Sequence, residues 1–316
     1  MKKRNKKLFS ALLLFTGFTL IGFSGCGEEP TLKDSPLYHN SWATLSYGFG
    51  SYHIVCGVET QYNFFDGDSV FNNKAYKKMY CYKDEQHSTR FYEGLIRENN
   101  SKIFIVPKDA TTEYLLYDFS VTEGTSFEYA DYRFPIESRN MYVKQVDYVN
   151  INGKNVKRIQ FSLLPPYDYK IIDIWYEGVG SEQGFLYPFS DEFTAGGKKH
   201  LLCCTQNYTL VYQNSKFPNC YYDNNVETIL FLQPQPNIGV SVYPNPVDSL
   251  INISLPEETI LYIRLYDVSA GQVVYSNNNI NTNSYTIDVS LLQKGFYALT
   301  VFLNSGIGGD FIIYKL

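Results

Sequence analysis

The sequence predicts an all-β protein: a duplicated β-meander, built as a sandwich or open barrel, followed by a small seven-stranded Ig-like β-sandwich. Three observations carry that prediction. Short apolar runs separated by Gly, Asn and Asp recur from Trp42 to about Leu232, spaced roughly 8–12 residues apart, the rhythm of sandwiches and barrels. Aromatic residues make up 17% of the 316-residue chain, with 29 Tyr, which excludes disorder and suits half-buried pleated surfaces. No stretch sustains a helical apolar stripe over three turns. The same aromatic wealth also suits a dedicated aromatic binding surface.

The elements follow in chain order. Lys2, Lys3, Arg4, Lys6 and Lys7 precede a largely apolar run, Leu8 to Phe23, that ends in small residues. Residues 1–25 therefore read as a secretory signal peptide. The run is too short, and too broken by Thr16, Gly17 and Thr19, to stop in a membrane. Without residues 1–25 the chain keeps 22 basic against 32 acidic side chains, a net charge of −10. Such a chain repels nucleic acid and anionic lipid surfaces, so no nucleic-acid partner is expected. Phe23-Ser24-Gly25-Cys26 resembles a bacterial lipobox, with Phe where Leu is usual. Cys26 is thus a lipidation candidate, each buried acyl CH₂ contributing about 0.8 kcal/mol of anchoring; the other reading is ordinary cleavage nearby. Residues 26–40 form a polar tether.

Cys56, Cys81, Cys203, Cys204 and Cys220 lie in the exported part, where disulfides are allowed. Five is odd, so one stays free unless Cys26 pairs. Cys203 and Cys204 point to opposite faces of a strand, so only one can reach Cys220. Cys203 with Cys220 is the favoured pair, closing a loop of about 17 residues worth roughly 3 kcal/mol. Cys56 with Cys81 is the second candidate. No CxxC exists and the four His are scattered, so no zinc site is expected.

Within the β-rich region 41–232 one pattern occurs twice. Phe71-Asn72-Asn73-Lys74 to Met79 matches Ile151-Asn152-Gly153-Lys154 to Ile159, and Tyr92-Glu93-Gly94 and Tyr176-Glu177-Gly178 follow in turn. Asn-Asn and Asn-Gly tolerate the positive φ that a two-residue hairpin needs. The unit reads as a repeated hairpin plus strand, two meanders in one curved sheet or open barrel. Leu115 to Phe119 and Ile171 to Trp175 are expected near the sheet centre, with Trp175 capping the core. Residues 233–238, Gln-Pro-Gln-Pro-Asn-Ile, cannot continue a sheet, because each Pro lacks an N–H and fixes φ; they mark the domain boundary.

Residues 239–316 hold seven strand candidates, about 239–243, 250–255, 261–267, 272–276, 284–289, 295–302 and 310–315. Ile251, Ile253 and Leu255 alternate with polar neighbours; Leu261, Ile263 and Leu265 do the same, as do Tyr297, Leu299 and Val301. One wet and one dry face per strand is what two small packed sheets require. Tyr243-Pro244-Asn245-Pro246, Leu265-Tyr266-Asp267 with Gly271, Gly295-Phe296-Tyr297 and the closing Lys315-Leu316 together resemble the type A C-terminal sorting domain of the type IX secretion system of Bacteroidota. The resemblance implies delivery across the outer membrane. The translocon and sorting machinery are the implied partners, and the tail is often removed while the cargo is fixed to surface lipopolysaccharide or released. The expected location is secreted or cell-surface. Gly306-Ile307-Gly308-Gly309 departs from the more charged relatives and is expected to loosen the last hairpin.

No GxSxG, HExxH, P-loop or GxGxxG occurs in 27–238, and His39, His53, His87 and His200 lack partner motifs. No catalytic, cofactor or metal residue is assigned. Asp66-Gly67-Asp68 reads as a glycine turn rather than a calcium loop. Glu93 and Glu177 recur in the repeat and form a nominal glycosidase pair; strand-end acids before a Gly turn are the plainer reading. Asp68-Ser69-Val70 and Asp248-Ser249-Leu250 fit the short glycosylation pattern of these bacteria. Asn152 to Lys154, Tyr117 to Phe119, Trp175 to Ser181 and Leu201 to Cys220 resemble uncharacterised β-rich cargo regions that bring no activity with them. The expectation is a surface interaction module for a protein or glycan, with a hydrolase or enzyme accessory acting on glycan or peptide as the alternative.

Overall fold

A computed structural model describes residues 39–316 apart from 51–52, 136, 166–169 and 194–196. The signal peptide, Cys26 and all but the end of the tether lie outside the described residues. The first part of the chain runs through β1 (Asn40–Phe49), β2 (Val55–Phe71), β3 (Lys74–Tyr82), β4 (Phe91–Asn99), β5 (Lys102–Pro107), β6 (Tyr114–Asp118), β7 (Ser126–Ala130), β8 (Ser138–Ile151), β9 (Lys154–Ser162), β10 (Ile171–Tyr176), β11 (Gly180–Ser181), the one-turn α1 (Ser190–Phe193), β12 (Gly197–Gln206), β13 (Thr209–Gln213) and α2 (Val226–Leu232). They form an eight-stranded sheet, β13-β12-β1-β2-β3-β4-β5-β6, and a five-stranded one, β11-β10-β9-β8-β7. Every pairing in both is antiparallel.

Both expected hairpins are present. Asn72 and Asn73 carry φ of 48° and 58°, and Asn152 and Gly153 carry 48° and 82°, the two positive values of a turn whose twist matches its strands. Asn100-Ser101 and Asn207-Tyr208 turn in the same way, at 51° and 60° and at 49° and 62°. The two meanders do not share one sheet, however: β2-β3-β4 lies in the first and β8-β9-β10 in the second. β6 is not central either but closes the edge of the eight-stranded sheet. Its apolar side chains are justified by the interior between the sheets, where Leu116 and Tyr117 are fully buried.

That interior is aromatic. Trp175 does not cap it but sits at its centre, with Phe161, Tyr117 and Phe189 ring centroids at 4.4, 4.8 and 5.0 Å. Trp42 stacks on Phe185 at 4.0 Å and donates its indole N–H to the Val179 carbonyl. One carboxylate, Asp173, lies among these rings. It accepts from the Trp175 indole N–H, the Ser181 hydroxyl and the backbone N–H groups of Ile174 and Phe189. Burial outweighs those donors and pushes its pKa up to about 7.

At the β5–β6 connection, Glu113 accepts from Arg97 Nη2 at 2.7 Å and from Lys74 Nζ at 3.0 Å, and also from the Tyr76 hydroxyl. Burial opposes the effect, but the Arg97, Tyr76 and Lys74 donors together hold its carboxyl down at about 2. A depressed acid stabilises the fold above its unfolded value near 4.3 and loses that contribution as pH falls through the folded value. Glu113→Gln is expected to cost about 1–2 kcal/mol at pH 7, after allowance for solvent screening. It should also flatten the acid limb of stability between about pH 4 and 2, read by denaturant titration at each pH.

The outer face of the eight-stranded sheet is covered by residues 214–232. Cys220 is disulfide-bonded to Cys203 across a separation of 17 residues, the favoured pairing. Phe217, Tyr222 and Ile229 pack there against Ala43, Leu45, Val58 and Leu202. Tyr222 and Thr60 exchange two hydrogen bonds, Thr60 Oγ1 to the Tyr222 carbonyl and Tyr222 N–H to Thr60 Oγ1. The β-type reading up to Leu232 fails at α2, a helix capped by Asn225, whose side chain accepts from the Thr228 N–H.

Cys56 and Cys81 are not bonded. Register places Asn63 opposite Cys81, so Cys56 lies seven residues further along β2, about 23 Å away along an extended strand. A disulfide tolerates no more than about 7 Å between Cα atoms.

The C-terminal part adds β14 (Ser241–Tyr243), β15 (Leu250–Ser254), β16 (Ile260–Asp267), β17 (Gln272–Asn277), β18 (Ser284–Asp288), β19 (Gly295–Leu303) and β20 (Gly308–Lys315). Sheets β14-β15-β18 and β17-β16-β19-β20 enclose a core of Ile251, Ile253, Ile263, Leu265, Tyr297, Leu299 and Val301. The register shift between Ile260 and Tyr262 turns Ile260 inward in place of the expected Leu261. The glycines of the last hairpin do not loosen it: Gly308 and Gly309 pair with Phe302 and Val301. A side chain at Gly309 would meet Pro236 and Ile238 at 2.8 Å, so glycine admits the 233–238 segment against the hairpin.

Candidate functional site

The β2–β3 register sets an aromatic face. Tyr62 lies opposite Tyr82 and Phe64 opposite Tyr80, so their side chains share the outer surface of the sheet. Phe64 stacks on the diagonal Tyr82 at 4.7 Å, and Tyr82 stacks on His87 at 4.6 Å. Tyr62 meets His87 edge-on at 4.8 Å. The Arg90 guanidinium lies over Tyr80 at 4.3 Å and pairs with Asp66. Beside this face opens a cleft of about 470 Å³. Tyr62, Phe64, Tyr82 and His87 line one side and the Asn207-Tyr208 turn the other. Ser41 and Thr205, whose hydroxyls bond each other at 2.7 Å, also line it. Tyr208 projects fully into solvent at its rim.

A second cleft of about 500 Å³ is lined by Asn152, Lys154, Glu177 and Gly178, residues of the second repeat. Asn40 lines both clefts and donates its amide to the Gly178 carbonyl at 2.6 Å. Glu177 thus belongs to this rim, whereas Glu93 lies on β4 and accepts from Cys81 Sγ at 2.9 Å. The nominal glycosidase pair lies on different elements and lines no common cleft.

Around Glu93 is a polar cluster. Gln61 Nε2 donates to Cys81 Sγ at 3.1 Å, and the Tyr187 hydroxyl donates to Gln61 Oε1. The Lys199 ammonium rests over the Tyr187 ring at 4.1 Å, and burial lowers its pKa to about 8. Burial, reinforced by Glu93, pushes the Cys81 thiol up to about 12. The thiolate is the nucleophilic form, so this environment disfavours covalent chemistry at Cys81.

Asp66 pairs with Arg90 and Asp68 with Lys77, and the register slips between Phe65 and Asp68. Gly67 therefore sits in a bulge, not a turn, and both carboxylates are held by cations. Among the described residues no group of three or more His, Cys, Asp or Glu is placed to hold a metal. His53 offers its carbonyl to Gln233, and His200 lies beside Tyr47 and Phe217, with burial lowering its pKa to about 4.

In the C-terminal sandwich the Tyr-Pro-Asn-Pro stretch crosses between the two sheets. Tyr243 ends β14 opposite Asn252. Pro244 and Pro246 have no N–H to give, and the Asn245 side chain supplies the pairing instead. Its Nδ2 donates to the Ile312 carbonyl at 2.7 Å and its Oδ1 accepts from the Tyr314 N–H at 2.9 Å. Val247 continues the closure, donating to Tyr314 O at 2.8 Å and accepting from Leu316 N at 2.9 Å. The free edge of β20 is thereby covered, which removes a template for pairing with other chains. Asp267 Oδ1 accepts from the N–H groups of Ser269 and Ala270, holding the β16–β17 turn where Gly271 adopts φ of 69°. Gly295 opens β19 opposite Lys315, which is 6% exposed and donates to the Leu316 carbonyl. Tyr297 is buried with its hydroxyl on Gln293 O. Leu265 is in the core and Tyr266 on the opposite face. The motif residues are therefore the seams of the sandwich, spread over it rather than gathered in a pocket.

Residues 241–312 match the secretion system C-terminal sorting domain. The sorting domain marks the chain for export by the type IX secretion system, so the protein interacts with that machinery and is secreted or displayed at the cell surface. No helix among the described residues is long and apolar enough to cross a membrane. The match stops short of the two larger sheets, and no curated protein matches the chain.

Proposed function

We propose that the protein is an exported binding module. Residues 239–316 direct secretion, 233–238 connect, and the 41–232 cargo region holds a glycan in the cleft beside Tyr62, Phe64 and Tyr82. The observation that carries this reading is the cleft itself. It combines ring surfaces with the hydroxyls of Ser41 and Thr205 and the amide of Asn207. A sugar presents C–H faces that rings attract and hydroxyls that short polar side chains pair with, and ligand sites combine those two features. An acidic chain of net charge −10 without its leader favours a neutral glycan over an anionic one.

The test is a glycan array probed with residues 27–316, followed by titration of any retained sugar. Tyr208 is fully exposed on its turn, so Tyr208→Ala should leave stability unchanged. It is expected to weaken binding by about 2–10-fold, the value of one aromatic contact. A chain that retains no glycan, or a sugar bound equally well by Tyr208→Ala, would sink the reading.

A further inference from the structure

The alternation in the sorting domain implies one dry face per sheet, yet the four-stranded sheet carries a second apolar row. Register aligns Tyr266, Ala298 and Ile312 across β16, β19 and β20 on the face turned away from the sandwich core. Ala298 and Ile312 are each only 3% exposed. They belong to one cluster with Leu202, Cys203, Phe217, Tyr222 and Ile229 of the cargo region. The next row on the same face, Arg264, Thr300 and Asp310, is polar, so the apolar contact ends there, while Val268 and Phe296 extend it on the other side.

The connecting segment is held at both ends of this contact. Gln233 is 7% exposed and pins the start of β2: its Oε1 accepts from Val55 N at 3.0 Å and its Nε2 donates to His53 O at 2.9 Å. Pro236 and Ile238 occupy the space that Gly309 leaves open, and Ile238 packs on the sandwich core.

We infer that the sorting domain is docked on its own cargo through the Tyr266–Ala298–Ile312 row, and that this docking, although Pro234, Gln235 and Asn237 are exposed, holds residues 233–238 against the local opening that cleavage requires until the two parts separate. The docking surface is an interaction site for this chain's own tail. Handling of the tail after export is then gated by undocking, because a protease must open the segment before it can cut it. The inference stands whether or not the cleft binds a glycan.

The deciding experiment uses residues 27–316 with a protease recognition sequence inserted between Pro236 and Asn237. After cutting, the two pieces are expected to co-elute in size-exclusion chromatography. Separate elution of the pieces would overturn the inference. In the chain without the insertion, Ile312→Asp places a charge in the docking row and leaves the inner core residues unchanged. It should raise the rate of cleavage within 233–238 by on the order of tenfold or more. Amide exchange at Ile263 and Leu265 reports whether the sandwich itself has stayed folded. Ala298→Arg is the second variant and should give the same increase. Cleavage of the unaltered chain as fast as both variants would also overturn the inference.

Discussion

Trp175→Ala is expected to destabilise the protein by about 3–5 kcal/mol, the cost of removing a large ring from a packed core. The indole is fully buried and meets Phe161, Tyr117, Phe189 and Phe119 at centroid distances from 4.4 to 6.0 Å. None of these rings can move in without leaving another contact, because they come from both sheets and from the loop before α1. The substitution also removes the donor that Asp173 Oδ2 receives from the indole at 2.9 Å. A carboxylate already raised to about 7 by burial would then face the same apolar surroundings with one fewer partner. Trp175→Phe separates the two effects: it keeps most of the ring volume and loses the donor, so about 1–3 kcal/mol is expected. Urea midpoints followed by far-UV circular dichroism give both numbers. A loss below about 1 kcal/mol for Trp175→Ala would mean that the two sheets do not share this core.

The same residue shows where reading the sequence succeeds and where it stops. Local chemistry was legible. Asn-Asn and Asn-Gly gave both long hairpins, because positive φ at two successive residues is a property of those residues alone. Alternation in three of the seven strands marked the sandwich, because the period of two is local as well, though the bulge in β16 shifted it by one residue at Ile260. Tertiary placement was not legible. The apolar run at Leu115 to Phe119 reads as a central strand whether it is buried between neighbours or lies at an edge covered from another sheet. Asn100-Ser101 and Asn207-Tyr208 make the same turn with weaker signals. α2 is only seven residues long, too short for a helical stripe to declare itself, though Asn225 was its available cap signal. The aromatic cleft joins residues from β1, β2, β3 and the β12–β13 turn, which no local pattern brings together. The docking row was hidden for a different reason. Tyr266, Phe296 and Ala298 occupy the positions that alternation assigns to solvent, and only the cargo surface explains their apolar character.

Breaking the Cys203–Cys220 disulfide is expected to cost about 3 kcal/mol and to loosen the connecting segment at the same time. The first part follows from chain entropy: a closed loop of this size, with a separation of 17 residues, restricts the unfolded chain by about that amount. For a region the size of 41–232 the melting temperature should fall by roughly 6–12 °C in Cys203→Ala/Cys220→Ser. Cys204 cannot substitute, because its side chain points to the opposite face of β12 and is buried there, where burial pushes its thiol well up. The second part follows from position. The disulfide ties residues 214–232 to β12, and Phe217, Tyr222 and Ile229 of that strap form the floor on which Ala298 and Ile312 rest. A loosened strap gives the docking row less to pack against, so cleavage within 233–238 should accelerate in the double variant even at temperatures well below its melting point. The two readouts can part company. Lower stability with an unchanged cleavage rate would assign the disulfide to the cargo fold alone. Both moving together would show that an oxidised strap is a condition for the docked tail.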